Sequence, residues 1–218
     1  MLKRPDGIIF DCDSTLASCE GIDELGAMKN LKEEISALTN LAMEGKIKLE
    51  EVYAKRLELI QPKKEDLAKI AEIYLSRIVL GAEELIKTLQ NQGVKLAIVS
   101  GGLKPAIMPL AKKLGIDEVY AVDINFDSEG NYLSLSPSPL TTAIGKREVA
   151  QKFKEKYKLK NLHMVGDGMS DLEAKAEKAA DIFIGFGGVI VREKVKAKAD
   201  IFIENPDLRE LLKIWNYE

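Results

Sequence analysis

Five short apolar runs punctuate the chain, at residues 8–10, 96–99, 163–165, 182–184 and 201–203, and each reads as a buried strand. Amphipathic stretches at 82–92, 105–114 and 147–157 alternate with them, the pattern of βαβ units around a doubly wound parallel sheet. Residues 119–126 and 132–135, joined by the turn Asp127-Ser128-Glu129-Gly130-Asn131, read as a hairpin. The segment 17–79 has another texture: helical periodicity, few β-branched runs and a break at Gln61-Pro62. It predicts a small helical domain inserted after the first strand, so that residues 1–16 and 80–218 form an α/β core and residues 17–79 a cap. No linker separates the two, which sets the insert over the carboxyl end of the first strand, the edge where open parallel sheets bind ligands.

Composition then narrows the chemistry. With 46% hydrophobic and 31% charged residues, the chain is expected to fold compactly around one core. A net charge of -3 leaves no basic excess to grip a polyanion, so nucleic acid is not an expected partner. One histidine, His163, excludes a multi-histidine metal centre, and its place inside a strand run predicts a core histidine. Cys12 and Cys19 cannot build a disulfide framework and point to a reducing, cytoplasmic setting. No export signal and no membrane span is expected: the apolar stretch 182–191 is broken by three glycines and falls short of the roughly 20 residues a bilayer needs.

Candidate chemistry gathers at the ends of the apolar runs. The first run ends in Asp11-Cys12-Asp13-Ser14-Thr15, and carboxylates at i and i+2 on extended chain face one side, with Cys12 pointing away. Two such charges become favourable together around a cation or when one carries a proton. The same residues would also make an ordinary turn and helix cap. A later run ends in Gly166-Asp167-Gly168-Met169-Ser170-Asp171, which sets Asp167 and Asp171 at the same sheet edge as Asp11. Asp11 and Asp167 with a backbone carbonyl make a hard-oxygen site suited to magnesium, while Ser170 can equally cap the helix that follows. Ser100-Gly101-Gly102 closes the second run and Pro105 enters the next helix, an arrangement that lets amides and a hydroxyl approach an anion. Lys146 begins an inward helical stripe where a cation opposes the helix dipole, a placement explained by phosphate charge.

Together, D-C-D-S-T, V-S-G-G, Lys146 and G-D-G-M-S-D resemble, in order and spacing over the whole chain, the four motifs of the haloacid dehalogenase (HAD) superfamily. E-G-I-D-E-L at 20–25, R-L-E-L-I-Q-P at 56–62, and I-G-F-G-G at 184–188 with Arg192 resemble its phosphoserine-hydrolysing members, in the form that carries Ser170 where others have asparagine. The resemblance implies a HAD-like core with a helical cap and a magnesium-dependent phosphomonoester hydrolase that converts O-phospho-L-serine to L-serine and phosphate, the last step of serine biosynthesis. It implies Asp11 as the nucleophile forming an aspartyl-phosphate and Asp13 as the acid and base. It further implies Ser100, Gly101 and Lys146 on the phosphoryl oxygens, magnesium on Asp11, Asp167 and the Asp13 carbonyl, and Asp171 in support.

Specificity is expected in the cap. Arg56 falls on the apolar stripe Leu49, Val52, Tyr53, Leu57 and Ile60, where a guanidinium needs a partner. That partner is a cap glutamate or, as the resemblance implies, the carboxylate of serine, with Glu20 on the α-amino group. Met43 would add apolar contact or belong to the core, and Arg192 would reach substrate or decorate a surface helix. Another small phosphoester, or phosphoryl transfer to an alcohol, is the alternative activity. A phospho-accepting receiver domain lacks both the second acid and the cap. Monomer and homodimer both stay open.

Overall fold

The computed structural model of the chain describes residues 2–43 and 47–217, with the side chains at 36, 39–43 and 49 outside that description. The expected contact of Met43 with substrate lies outside the described side chains.

Six parallel strands form one sheet: β1 (Gly7–Phe10), β2 (Lys95–Leu103), β3 (Glu118–Val122), β6 (Leu162–Gly166), β7 (Ile182–Phe186) and β8 (Ile201–Ile203), in the order β3-β2-β1-β6-β7-β8. The antiparallel pair β4 (Ile124–Phe126) and β5 (Tyr132–Leu135) stands apart. The chain runs outward from β1 to β3, then returns across β1 to build the other half. That reversal makes the carboxyl end of β1 the switch point where a doubly wound sheet opens a crevice. The expected doubly wound sheet is present with one correction. Residues 118–122 do not belong to a hairpin: they form the edge strand, pairing Ala97 with Glu118 and Val99 with Tyr120 in parallel. The E-V-Y-A-V composition suits either arrangement, so strand pairing rather than local propensity decides it.

The sheet is fully buried at β1 and β6, as a strand covered by helices on both faces must be. Aspartates at its amino-terminal edge serve structure. Asp6 accepts from the amides of Lys160 and Asn161, Asp181 from Leu162, and Asp200 from Phe183, each tying the start of one strand to its neighbour. His163 is fully buried in β6, and its Nδ1 accepts from the indole N–H of Trp215 at 3.1 Å, as expected of a core histidine.

Between β1 and β2 the chain folds into α1 (Gly21–Met28), α2 (Lys32–Met43), α3 (Leu49–Ile60) and α4 (Lys64–Ser76) before α5 (Ala82–Asn91). The strands leading in and out lie side by side: Ala17 bridges Ile78, Ser18 N–H donates to Arg77 O at 2.8 Å, and Val79 N–H to Leu16 O at 2.9 Å. This double stem carries the four helices back over the sheet, where α4 packs against α6 (Lys104–Leu114). Tyr53, Leu57, Ile70 and Tyr74 are thereby buried in one apolar cluster with β1 and β2. Two turns of chain close α6 and α7 (Gly145–Tyr157) in left-handed residues, Gly115 and Lys158. The remainder comprises α8 (Met169–Glu173), α9 (Glu193–Lys196) and α10 (Glu210–Ile214). No described helix is long and apolar enough to cross a membrane.

Candidate active site

Three segments deliver chemistry to the crevice. Asp11 follows β1 directly, and its amide donates to Val165 O of the adjacent β6 at 2.9 Å, so the strand ladder itself sets its position. Asp167 follows β6, and Asp171 lies in the first turn of α8 with its Oδ2 accepting from Gly168 N–H at 2.9 Å. A side chain at Gly166 would put its Cβ 2.3 Å from Asp171 Cγ, so glycine is what lets this carboxylate pack against the strand end.

Asp11, Asp167 and Asp171 are all buried, and one carboxylate oxygen from each lies within 4.8 Å of the others. Lys146, in the first turn of α7, offsets part of this charge, with its ammonium 2.8 Å from Asp11 Oδ1 and 2.6 Å from Asp171 Oδ1. Burial opposes a charged lysine, but the two carboxylates win and push its pKa above the ordinary value. The remaining acids are not fully compensated. Burial, followed by the repulsion of Asp11, pushes Asp171 up to about 7 and raises Asp167 as well. A compact set of hard oxygen donors that resists carrying all its charge fits a divalent cation. Asp171, expected only in a supporting position, stands in this cluster, whereas the carboxylate of Asp13 does not.

Asp13 turns toward the helical insert. Its Oδ1 accepts from Gly21 N–H and from Tyr74 Oη, both at 2.7 Å. Burial and the neighbouring Asp11 push it up to about 6, against the opposing pull of those two donors. A carboxyl group so placed is suited to carry a proton near neutral pH.

The phosphate-binding expectation falls on a break in β2. Val99 pairs with Tyr120 and Leu103 with Val122, so Ser100–Gly102 leave the ladder and their backbone is freed from strand pairing. Ser100 is buried and its hydroxyl accepts from Gly102 N–H at 2.9 Å, while Gly101 O accepts from Tyr53 Oη of α3 at 2.7 Å.

A cavity of about 200 Å³ lies between sheet edge and insert, lined by Asp11, Asp13, Glu20, Arg56, Ser100, Gly101, Lys146 and Ser170. Eight expected residues thus meet in one space. Arg56 is half-buried on α3 with its guanidinium 5.8 Å from the Tyr53 ring centroid. Glu20 precedes α1, and its Oε1 accepts from Ser14 Oγ at 2.6 Å. Burial, then the repulsion of Asp13, pushes Glu20 up to about 8, so a ligand ammonium beside it would be welcome. Arg192 is not among the described residues lining the cavity. Its Nε donates to Asp167 Oδ2 at 2.7 Å and its Nη2 to Glu20 Oε1 at 3.4 Å, which makes it a bridge behind the site.

Ser14, Tyr53 and Tyr74 are supports that sequence reasoning missed. Tyr53 and Tyr74 sit on apolar helical stripes where a core tyrosine looks the same. Ser14 carried one signal, its place in a tight motif turn, and it adopts a left-handed φ of 51° that few non-glycine residues accept.

The match to known proteins agrees with this geometry. The family described as haloacid dehalogenase-like hydrolase matches residues 5–177. The chain belongs to the haloacid dehalogenase-like hydrolases. Among relatives of this family, the chain is 36% identical over 210 residues to a phosphoserine phosphatase of Bos taurus, covering 95% of this chain and 92% of that protein. It is also 36% identical over 217 residues to a phosphoserine phosphatase of Methanocaldococcus jannaschii, covering 98% and 99%. A solved phospho-aspartyl intermediate analogue of phosphoserine phosphatase superposes with a TM-score of 0.83 at 33% identity, covering 98% of this chain and 99% of that one. A substrate-bound phosphoserine phosphatase complex gives the same values.

Proposed function

We propose that this haloacid dehalogenase-like hydrolase converts O-phospho-L-serine and water to L-serine and phosphate, and so completes serine biosynthesis. The observation that carries the reading is the set of five charged side chains lining one cavity: Asp11, Asp13 and Lys146 from the core, Arg56 and Glu20 from the insert. Lys146 suits a phosphate group, and Arg56 with Glu20 suits a carboxylate and an ammonium on the same molecule. Residues 17–79 act as the cap, and residues 1–16 and 80–218 as the catalytic core.

Asp11 attacks phosphorus. The bond from phosphorus to the serine oxygen breaks, Asp13 gives its proton to that oxygen, and L-serine leaves with an aspartyl-phosphate on Asp11. Water then attacks the phosphorus, Asp13 takes its proton, and the bond to Asp11 breaks to release phosphate. Ser100, the Gly101 amide and Lys146 hold the phosphoryl oxygens, where fixed donors offset the charge of the transition state. Arg56 grips the carboxylate of serine and Glu20 its ammonium. Ser170 completes the contacts, and Arg192 holds Glu20 toward the substrate.

The ion in this proposal is magnesium, held by Asp11, Asp167 and the carbonyl of Asp13, with Asp171 beside them. When bound, it supplies positive charge to offset that of the phosphoryl group. The protein is placed in the cytoplasm, which suits two buried, free cysteines. Phosphate release over a panel of small phosphoesters, with and without magnesium, tests the whole reading. Selective turnover of phosphoserine is expected; equal rates across the panel would remove the substrate assignment and leave the hydrolase.

A further inference from the structure

Asp13 belongs to the core, yet among the described residues both groups that donate to its carboxylate come from the insert: the Gly21 amide opens α1, and the Tyr74 hydroxyl projects from α4. Both donate to the same oxygen, Oδ1. An oxygen that already accepts two short hydrogen bonds is a poor place for a proton, because a third hydrogen would have to displace a donor. The other oxygen, Oδ2, faces Gly102, where a Cβ would come within 3.0 Å of it. Asp13 and Gly102 both line the cavity.

We infer that Tyr74 is a positioning residue for proton transfer: with Gly21 it fixes Asp13 Oδ1 and leaves Oδ2 as the oxygen that passes the proton. This rests on the reading of Asp13 as acid and base. Tyr74 is suited to the task, being 1% exposed and packed on the apolar face of α4, so its hydroxyl has one place to go. Gly21 serves the same geometry, because a Cβ there would lie 2.1 Å from Tyr74 Oη. In the transfer, the O–H bond at Oδ2 breaks and a new O–H bond forms on the ester oxygen as its bond to phosphorus breaks. The acid is therefore aimed only while α1 and α4 lie over the sheet, which couples closure of the insert to departure of the alcohol.

Leaving groups separate positioning from mere support. An alkoxide must be protonated as it leaves, whereas p-nitrophenolate departs without a proton, and kcat/KM reports the steps up to that departure. Tyr74→Phe keeps the ring and removes only the hydroxyl. Its kcat/KM is expected to fall at least about tenfold further for phosphoserine than for p-nitrophenyl phosphate, mostly in kcat. Gly21→Ala should reproduce that skew by displacing the tyrosine hydroxyl. Equal losses on both substrates, or no loss in a folded Tyr74→Phe, would overturn the inference. A wild-type enzyme that ignores phosphoserine but cleaves other phosphoesters would reject the proposed substrate alone; glycerol 2-phosphate then replaces phosphoserine in the comparison and decides the role of Tyr74.

Discussion

The ammonium of Lys146 stands 2.8 Å from Asp11 Oδ1, and the same nitrogen reaches Asp171 Oδ1 at 2.6 Å, all three side chains being nearly sealed from solvent. Removing one partner of such a buried set leaves uncompensated charge, at a cost of about 3–5 kcal/mol. Lys146→Met is accordingly expected to lower the melting midpoint of the metal-free protein by roughly 6–20 °C, given about 2–4 °C per kcal/mol for a chain of this size. Turnover should fall by about 10²-fold or more, because the donor proposed for the phosphoryl oxygens is lost. Thermal melts and phosphate release check the two effects separately.

Metal binding should be linked to protons. Asp171 is pushed up to about 7 and Asp167 is raised, so part of the cluster is protonated near neutrality, and a cation must displace those protons. Magnesium affinity is expected to strengthen as pH rises from about 6 to 8. Titration calorimetry in two buffers of different ionisation heat reads the released protons directly; identical heats would contradict it. A chelator should abolish hydrolysis, and magnesium should raise the melting midpoint by relieving repulsion among the three acids.

Arg56 lines the cavity from α3, in the same space as Asp11 and Asp13. Arg56→Ala is expected to reduce kcat/KM for phosphoserine by about 10²-fold, the scale of a lost charge-assisted hydrogen bond, while p-nitrophenyl phosphate loses little. Lysine in its place should restore only part of the loss, since it cannot make the two-pronged contact. Equal damage to both substrates would make Arg56 a structural cation.

His163 sets an acid limit on stability. Burial holds its pKa down from 6.5 to about 4. Trp215 can only donate, so His163 Nδ1 accepts and the proton sits on Nε2, which has no hydrogen-bond partner among the described residues. The folded state keeps the ring neutral while the unfolded chain charges it below about 6.5. Stability is thus complete above that pH and lost as pH falls toward 4, by up to about 3 kcal/mol. Denaturant unfolding from pH 7 to 4.5 should show a shallower decline in His163→Gln than in the wild type.

The sheet and its reactive edge were legible because burial imposes composition. β1 and β6 are covered on both faces and, His163 apart, are apolar throughout, so the first charge after each run marks the edge where the buried carboxylates gather. Asp11 and Asp167 are readable in that way, Asp13 and Ser100 from their places beside a strand end, and Lys146 from its inward helical stripe. The helical insert was legible for a similar reason, since a change of period from strand to helix is local.

What only the tertiary structure decided is pairing. Residues 118–122 have the same strand composition in a hairpin or at a sheet edge, and their hydrogen bonds to β2 alone make them the edge strand. Tyr74 and Tyr53 satisfy an apolar stripe whether or not their hydroxyls have a task. Those tasks exist because the double stem at Ala17 and Ile78 folds α3 and α4 back over Asp13 and Gly101. Arg192 finds Asp167 and Glu20 across 25 and 172 residues of sequence. Local pattern records which side chains prefer water and at what period; which donor meets which acceptor depends on contacts distant in sequence, and in this protein those contacts hold Asp13 and bridge Asp167 to Glu20.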